Sequence, residues 1–110
     1  MRQLAVDELP ALCAAHAPRV LLLDVREPWE TAKARLEIEG VPTLCIPMRE
    51  IPQRLAELDR SRLIVCLCHH GVRSLQVVAF LSQRGYESVY NLAGGIDAWS
   101  IEVAPQVARY

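Results

Sequence analysis

Residues 63–74 read Leu63-Ile64-Val65-Cys66-Leu67-Cys68-His69-His70-Gly71-Val72-Arg73-Ser74, and the first six decide the fold. A short, unbroken apolar run left through a glycine-containing loop has the pattern of a strand buried on both faces, the arrangement of parallel sheets. The pattern recurs at Val20-Leu21-Leu22-Leu23-Asp24. Weaker strands are read at Thr43 to Ile46, ended by Pro47, and Ser88 to Leu92, ended by Ala93-Gly94-Gly95. Helical stretches fall between them. One opens at Asp7-Glu8-Leu9-Pro10 with Leu9, Leu12, Cys13 and His16 at helical spacing; others are expected near Pro28 to Leu36, Arg49 to Leu58 and Ser74 to Arg84, the last stopped by Gly85. Strands alternating with helices predict an α/β fold, a central parallel sheet flanked by helices on both faces.

The 110 residues, 52% hydrophobic and 23% charged, suit one domain spanning 1–110. A chain of this size buries somewhat over ~60% of its unfolded surface and needs neither disulfides nor structural metal. Its longest apolar runs fall far short of the ~20 residues that span a bilayer, so no membrane association is expected. The start, Met1-Arg2-Gln3-Leu4, has no sustained apolar segment with a small-residue cleavage site, and a cytoplasmic location with reduced thiols is expected. A net charge of -1 with dispersed arginines excludes a phosphate-binding basic block, hence nucleic acid. The first few residues and Ala104 to Tyr110 show only loose patterning.

In open α/β sheets, ligands bind beyond the carboxyl ends of the strands. Cys68 lies there, with Gly71 in the loop behind it and Ser74 on the following helix N-terminus, so backbone N–H groups can converge on its sulfur. Such a cradle and neighbouring cations favour the thiolate, the nucleophilic form. Arg73 supplies a planar cationic fork suited to an oxyanion such as thiosulfate or phosphate, and His69 and His70 add charge below neutrality. Cys68 is the candidate nucleophile; His69, His70, Gly71, Val72, Arg73 and Ser74 form the candidate active-site and anion-binding loop.

Cys68-x-x-Gly71-x-Arg73-Ser74 at a strand end resembles the active-site loop of the rhodanese (thiosulfate sulfurtransferase) homology domain. Three further motifs extend the resemblance over nearly the whole chain. Leu22 to Glu30 is similar to that family's first strand and exit loop, Ile46-Pro47 to its mid-chain strand end, and Asn91-Leu92-Ala93-Gly94-Gly95-Ile96-Asp97-Ala98-Trp99 to its C-terminal turn and helix. The resemblance implies a Cys68 persulfide and transfer of a sulfane sulfur from thiosulfate or a persulfide donor, including a protein persulfide, to a thiol or cyanide acceptor, without cofactor or metal. In one respect the chain departs from the family: Arg35 to Pro42 lacks the histidine usual before the mid-chain strand.

Other residues have plainer readings. Asp24 is expected to orient or cap the exit loop, Arg26 and Glu27 to fix that loop by ion pairing, and Arg49 to be a solvated helix-start residue. Trp29, Trp99, Cys13 and Cys45 are expected in the core, and Cys66 one step deeper than Cys68 on the same face. Cys66, Cys68, His69 and His70 cannot surround one metal ion, since adjacent strand residues point to opposite faces. A non-catalytic rhodanese-like binding module would ordinarily lack the loop cysteine. A cysteine phosphatase or arsenate reductase also uses a cysteine, an amide cradle and an arginine, but with a loop longer by one residue than the four, His69 to Val72, between Cys68 and Arg73. The shorter loop fits sulfur transfer better than a tetrahedral oxyanion centred on the reacting atom. Assayed side by side, the protein should transfer sulfur to cyanide and barely hydrolyse aryl phosphates; Cys68-dependent phosphatase activity in excess of sulfur transfer would refute this reading of the loop.

Overall fold

The computed structural model describes residues 2–110. Five strands, β1 (Gln3–Leu4), β2 (Val20–Asp24), β3 (Thr43–Cys45), β4 (Leu63–Leu67) and β5 (Val89–Leu92), form one parallel sheet in the order β1-β5-β4-β2-β3. The helices are α1 (Leu9–His16), α2 (Pro28–Lys33), α3 (Val72–Gln83) and α4 (Gly95–Glu102).

The apolar runs are unbroken because β2 and β4 are covered on both sides. Val20, Leu22, Leu63, Val65 and Leu67 pack with Leu9 and Cys13 of α1 and Ile96 and Trp99 of α4. The alternate residues Leu21, Leu23, Ile64 and Cys66 pack with Val77, Val78 and Leu81 of α3. Strand order places the switch point between β2 and β4, where the chain leaves β2 toward one sheet edge and β4 toward the other. Right-handed crossovers in opposite directions put the connecting segments on opposite faces, opening a cleft at the strands' carboxyl ends. Asp24 and Leu67 are in register there, and Cys68 follows directly.

Several local expectations are corrected. The helix expected over Arg49 to Leu58 is two separate 3-10 turns, Met48–Glu50 and Leu55–Glu57, because Pro52 lacks the N–H and clashes with the preceding turn. The α2 helix stops at Lys33, and Ala34 is extended with its carbonyl held by Arg26. The N-terminal residues contribute β1 beside β5, and half-buried Tyr110 packs against the site. Trp29 is 59% exposed rather than core, since α2 buries Glu30 and Thr31 instead; Trp99 is buried. Cys13 and Cys66 are buried, whereas Cys45 is exposed on β3, an edge strand.

Arg26 is among the largest fully buried side chains. Its Nε and Nη2 donate to the Asp24 carboxylate at 2.9 and 2.7 Å, Nη1 to the Glu30 carbonyl at 3.3 Å and the Tyr110 hydroxyl at 3.0 Å, and Nη2 to the Ala34 carbonyl at 2.8 Å. Burial alone works against the charge, but Asp24 and Tyr110 more than offset it and hold the guanidinium pKa above its ordinary value. Replacing one member of such a pair leaves an uncompensated buried charge. Arg26→Met should therefore lower stability by about 3–5 kcal/mol, read from the denaturant midpoint.

Candidate active site

The Cys68 sulfur lies in a loop whose amides face inward. Sγ accepts from the Gly71 N–H at 3.1 Å and from the Ser74 N–H at 3.4 Å, and lies 3.3 Å from Ser74 Oγ. Gly71 permits the turn with φ 98°, and a Cβ there would come within 3.1 Å of the Gly94 amide nitrogen. The loop's outer side is fixed by α4: Ile96 N–H donates to the Cys68 carbonyl at 2.9 Å and Asp97 N–H to the His69 carbonyl at 3.1 Å. Gly95 must lack a side chain because a Cβ would collide with both carbonyls. With the carbonyls satisfied outward, the amides of Gly71 and Ser74 are left for the sulfur.

Asn91 braces this arrangement from β5. The Ser74 hydroxyl donates to Asn91 Oδ1, while Asn91 Nδ2 donates to the Gly71 carbonyl at 3.1 Å and to Gln3 Oε1 at 3.0 Å. Ser74 Oγ, 3.3 Å from Cys68 Sγ, is thereby held in place by Asn91. Cys66 is wholly buried, and desolvation, then the neighbouring Cys68, pushes its thiol pKa up.

The loop residues have different surroundings. Cys68, Gly71 and Ser74 meet at the sulfur, whereas Val72 is 66% exposed. His69 stacks on Tyr110 with ring centroids 3.9 Å apart, and His70 stacks on His69 at 4.0 Å. Desolvation, followed by His70, lowers the His69 pKa and favours its neutral form. The Arg73 guanidinium, expected to hold an oxyanion, pairs bidentately with Glu30: Nη1 and Nη2 donate to the two carboxylate oxygens at 2.7 and 2.8 Å. Glu30 also accepts from the Tyr110 hydroxyl at 2.9 Å and the Glu27 N–H at 2.9 Å.

Asn91, Glu30 and Tyr110 are the contributors that sequence reasoning missed. Asn91 and Glu30 lie inside the motifs that carry the resemblance, and Asn91 is also a polar residue in an otherwise apolar strand, but nothing in the sequence pairs Glu30 or Tyr110 with the distant Arg73. Asp24 is engaged by Arg26, while Arg49, its side chain 81% exposed, lies 3.8 Å from Glu27.

The Rhodanese-like domain family model matches residues 6–102. The chain belongs to the rhodanese-like family. A sulfurtransferase of Allochromatium vinosum is 43% identical over 94 residues, covering 86% of this chain and 84% of that protein. The crystal structure of a rhodanese-related protein from Thermoplasma volcanium superposes with TM-score 0.79 at 29% identity, covering all of both chains. A rhodanese-like domain protein from Staphylococcus aureus gives 0.75 at 29% identity, covering 100% of this chain and 99% of that one. This rhodanese-like chain thus has the parallel sheet and flanking helices of its structural relatives.

Hydrogen bonding to Arg73 outweighs desolvation and lowers the Glu30 pKa from 4.5 to about 2. A depressed carboxylate pKa stabilises the fold fully above 4.5, and that contribution is lost as pH falls toward 2. Glu30→Gln should remove this part of the acid sensitivity, giving a flatter plot of denaturant midpoint against pH between those values than the parent shows.

Proposed function

We propose that this rhodanese-like domain is a sulfurtransferase that moves a sulfane sulfur, from thiosulfate or a persulfide, to a thiophilic acceptor through a persulfide on Cys68. The observation that carries the reading is the pair of inward N–H groups, from Gly71 and Ser74, on a cysteine sulfur at the sheet's switch point. The Cys68 thiolate attacks the outer sulfur of the donor, a new S–S bond forms, and the donor's S–S bond breaks with its electron pair leaving on sulfite or on a thiolate. The acceptor then attacks the outer sulfur of the Cys68 persulfide and releases the Cys68 thiolate. Splitting the transfer into two displacements is covalent catalysis, with ping-pong kinetics as its signature.

The loop amides stabilise negative charge on sulfur in both steps, as preorganised donors do for oxyanions. Cys66 takes no part, because its thiol is fully enclosed and its thiolate disfavoured. The reading extends to small-molecule or protein persulfide donors, to thiol or cyanide acceptors, and to the cytoplasm, where low-molecular-weight thiols are abundant. Among the described residues no helix is long and apolar enough to cross a membrane.

Intact-mass measurement tests the intermediate. After incubation with a persulfide or thiosulfate donor and removal of small molecules, the chain should gain the mass of one sulfur atom, and cyanide or dithiothreitol should remove it. The gain should map to Cys68, vanish in Cys68→Ser, and persist in Cys45→Ser, which removes the exposed thiol. A gain on another cysteine, or one surviving in Cys68→Ser, would reassign the nucleophile; no gain with any donor would favour the binding-module reading.

A further inference from the structure

The segment that follows α4 holds Tyr110 against the Cys68 loop. Ala104 is buried, the Ser100 hydroxyl donates to the Val107 carbonyl, and Arg109 pairs at 2.8 Å with Asp97, whose own N–H holds the His69 carbonyl. The Tyr110 ring stacks on His69 with an interplanar angle of 9° and meets Trp29 edge-on at 6.0 Å. Two ring contacts fix the plane of the phenol, and with it the position of the hydroxyl.

That hydroxyl sits between two charges with opposite requirements. It accepts from Arg26 Nη1 at 3.0 Å and donates to Glu30 Oε1 at 2.9 Å, the oxygen that also receives Arg73 Nη2. Arg26 can only donate and the ionised Glu30 can only accept, so the phenol's single proton is directed to Glu30. The other carboxylate oxygen, Oε2, takes Arg73 Nη1 and the Glu27 N–H. A guanidinium gripped through both terminal nitrogens takes its plane from the carboxylate that grips it. Of the five N–H groups of Arg73, the pair with Glu30 uses two, and the other three make no bond among the described residues. The Arg73 charge is coupled to the sulfur: hydrogen bonding to Glu30 comes first among the causes that hold its pKa up, and Cys68 is among the rest.

We infer that Tyr110 is a positioning residue for the chemistry at Cys68: its hydroxyl orients the Glu30 carboxylate, and through it the free N–H groups of Arg73, toward negative charge arriving at or leaving the sulfur. This rests on the Cys68-persulfide reading above, in which sulfite or a thiolate departs as an anion beside the loop. The Glu27 N–H anchors one carboxylate oxygen only. Without the phenol the other oxygen can swing about that anchor, Arg73 swings with it, and its free N–H groups spend less of their time where the anion lies.

The test compares alkylation of Cys68 by iodoacetate and by iodoacetamide on the full chain, with Cys45→Ser to remove the exposed thiol. In both reactions a C–S bond forms as iodide leaves, and the reagents differ by one negative charge. The ratio of their rates, read by intact mass, therefore cancels the thiolate fraction and reports how well an anion is received. Tyr110→Phe keeps the ring contacts and should lower the iodoacetate-to-iodoacetamide ratio by about 2- to 10-fold, the span that one net hydrogen bond carries. Persulfide formation from thiosulfate should slow by a similar factor. In Arg73→Gln the ratio should be low already, and adding Tyr110→Phe should leave it there, whereas a general loosening of the fold would lower it again. Tyr110→4-aminophenylalanine, which keeps a donor for Glu30 but offers Arg26 a poorer acceptor, should show the parent ratio. The parent ratio in a folded Tyr110→Phe overturns the role, as does a second full fall in the Arg73→Gln background. A lowered ratio in the folded 4-aminophenylalanine variant overturns it too, whether or not Tyr110→Phe folds. If no sulfur donor labels Cys68 in the parent while the alkylation ratio still answers to Tyr110→Phe, the sulfurtransferase reading falls and the placement of Arg73 by Tyr110 stands.

Discussion

A guanidinium with no solvent contact is admissible only where nearly every N–H has an acceptor, and the Arg26 site meets that demand with parts from across the fold. The Asp24 carboxylate comes from the end of β2, the Glu30 and Ala34 carbonyls from α2 and its exit, and the hydroxyl from Tyr110. These acceptors explain why α2 ends where it does and why Tyr110 lies beside the loop that follows β4. Tyr110 passes the constraint on, since its hydroxyl donates to the Glu30 oxygen that also receives Arg73. The alternation Asp24, Arg26, Glu30, Arg73 thus ties two strand-exit loops into one unit without a free charge.

The second constraint concerns the backbone. A peptide has a donor on one side and an acceptor on the other, so a loop that turns N–H groups inward must satisfy its carbonyls outside. The N-terminal amides of α4 take the carbonyls of Cys68 and His69, and Asn91 takes that of Gly71. The glycine pair Gly94-Gly95 is therefore part of the setting of Cys68 although it never touches the sulfur. The α4 helix approaches the loop through Gly95, and any side chain there would push the loop away.

Much of this was legible in the sequence, for identifiable reasons. Strands β2 and β4 are covered on both faces and so leave continuous apolar runs; α3 carries a helical apolar face and ends at Gly85, whose φ of 89° suits the left-handed turn. Cys68, Gly71 and Ser74 lie within seven residues, and their meeting is a local matter. Strand β1 is too short for a pattern, and Pro52 breaks a stretch whose spacing otherwise suits a helix. Exposure of Trp29 and Cys45 depends on which segments cover α2 and the sheet edge, which neither residue's neighbours encode. The partner of Arg73 was the least accessible feature: Glu30 is 43 positions away, and only the tertiary fold decides whether a cation faces a ligand or a carboxylate.

The sheet's boundaries carry a consequence of a different kind. One edge is the two-residue β1 and the other the three-residue β3, which stops before Pro47. Exposed strand edges recruit other chains when they offer a long row of unpaired backbone groups, and short edges or an adjacent proline withhold that row. The longer, more apolar β2 and β4, which would be adhesive if exposed, are enclosed between them. The strand order that creates the cleft thereby also guards the fold against edge-to-edge aggregation.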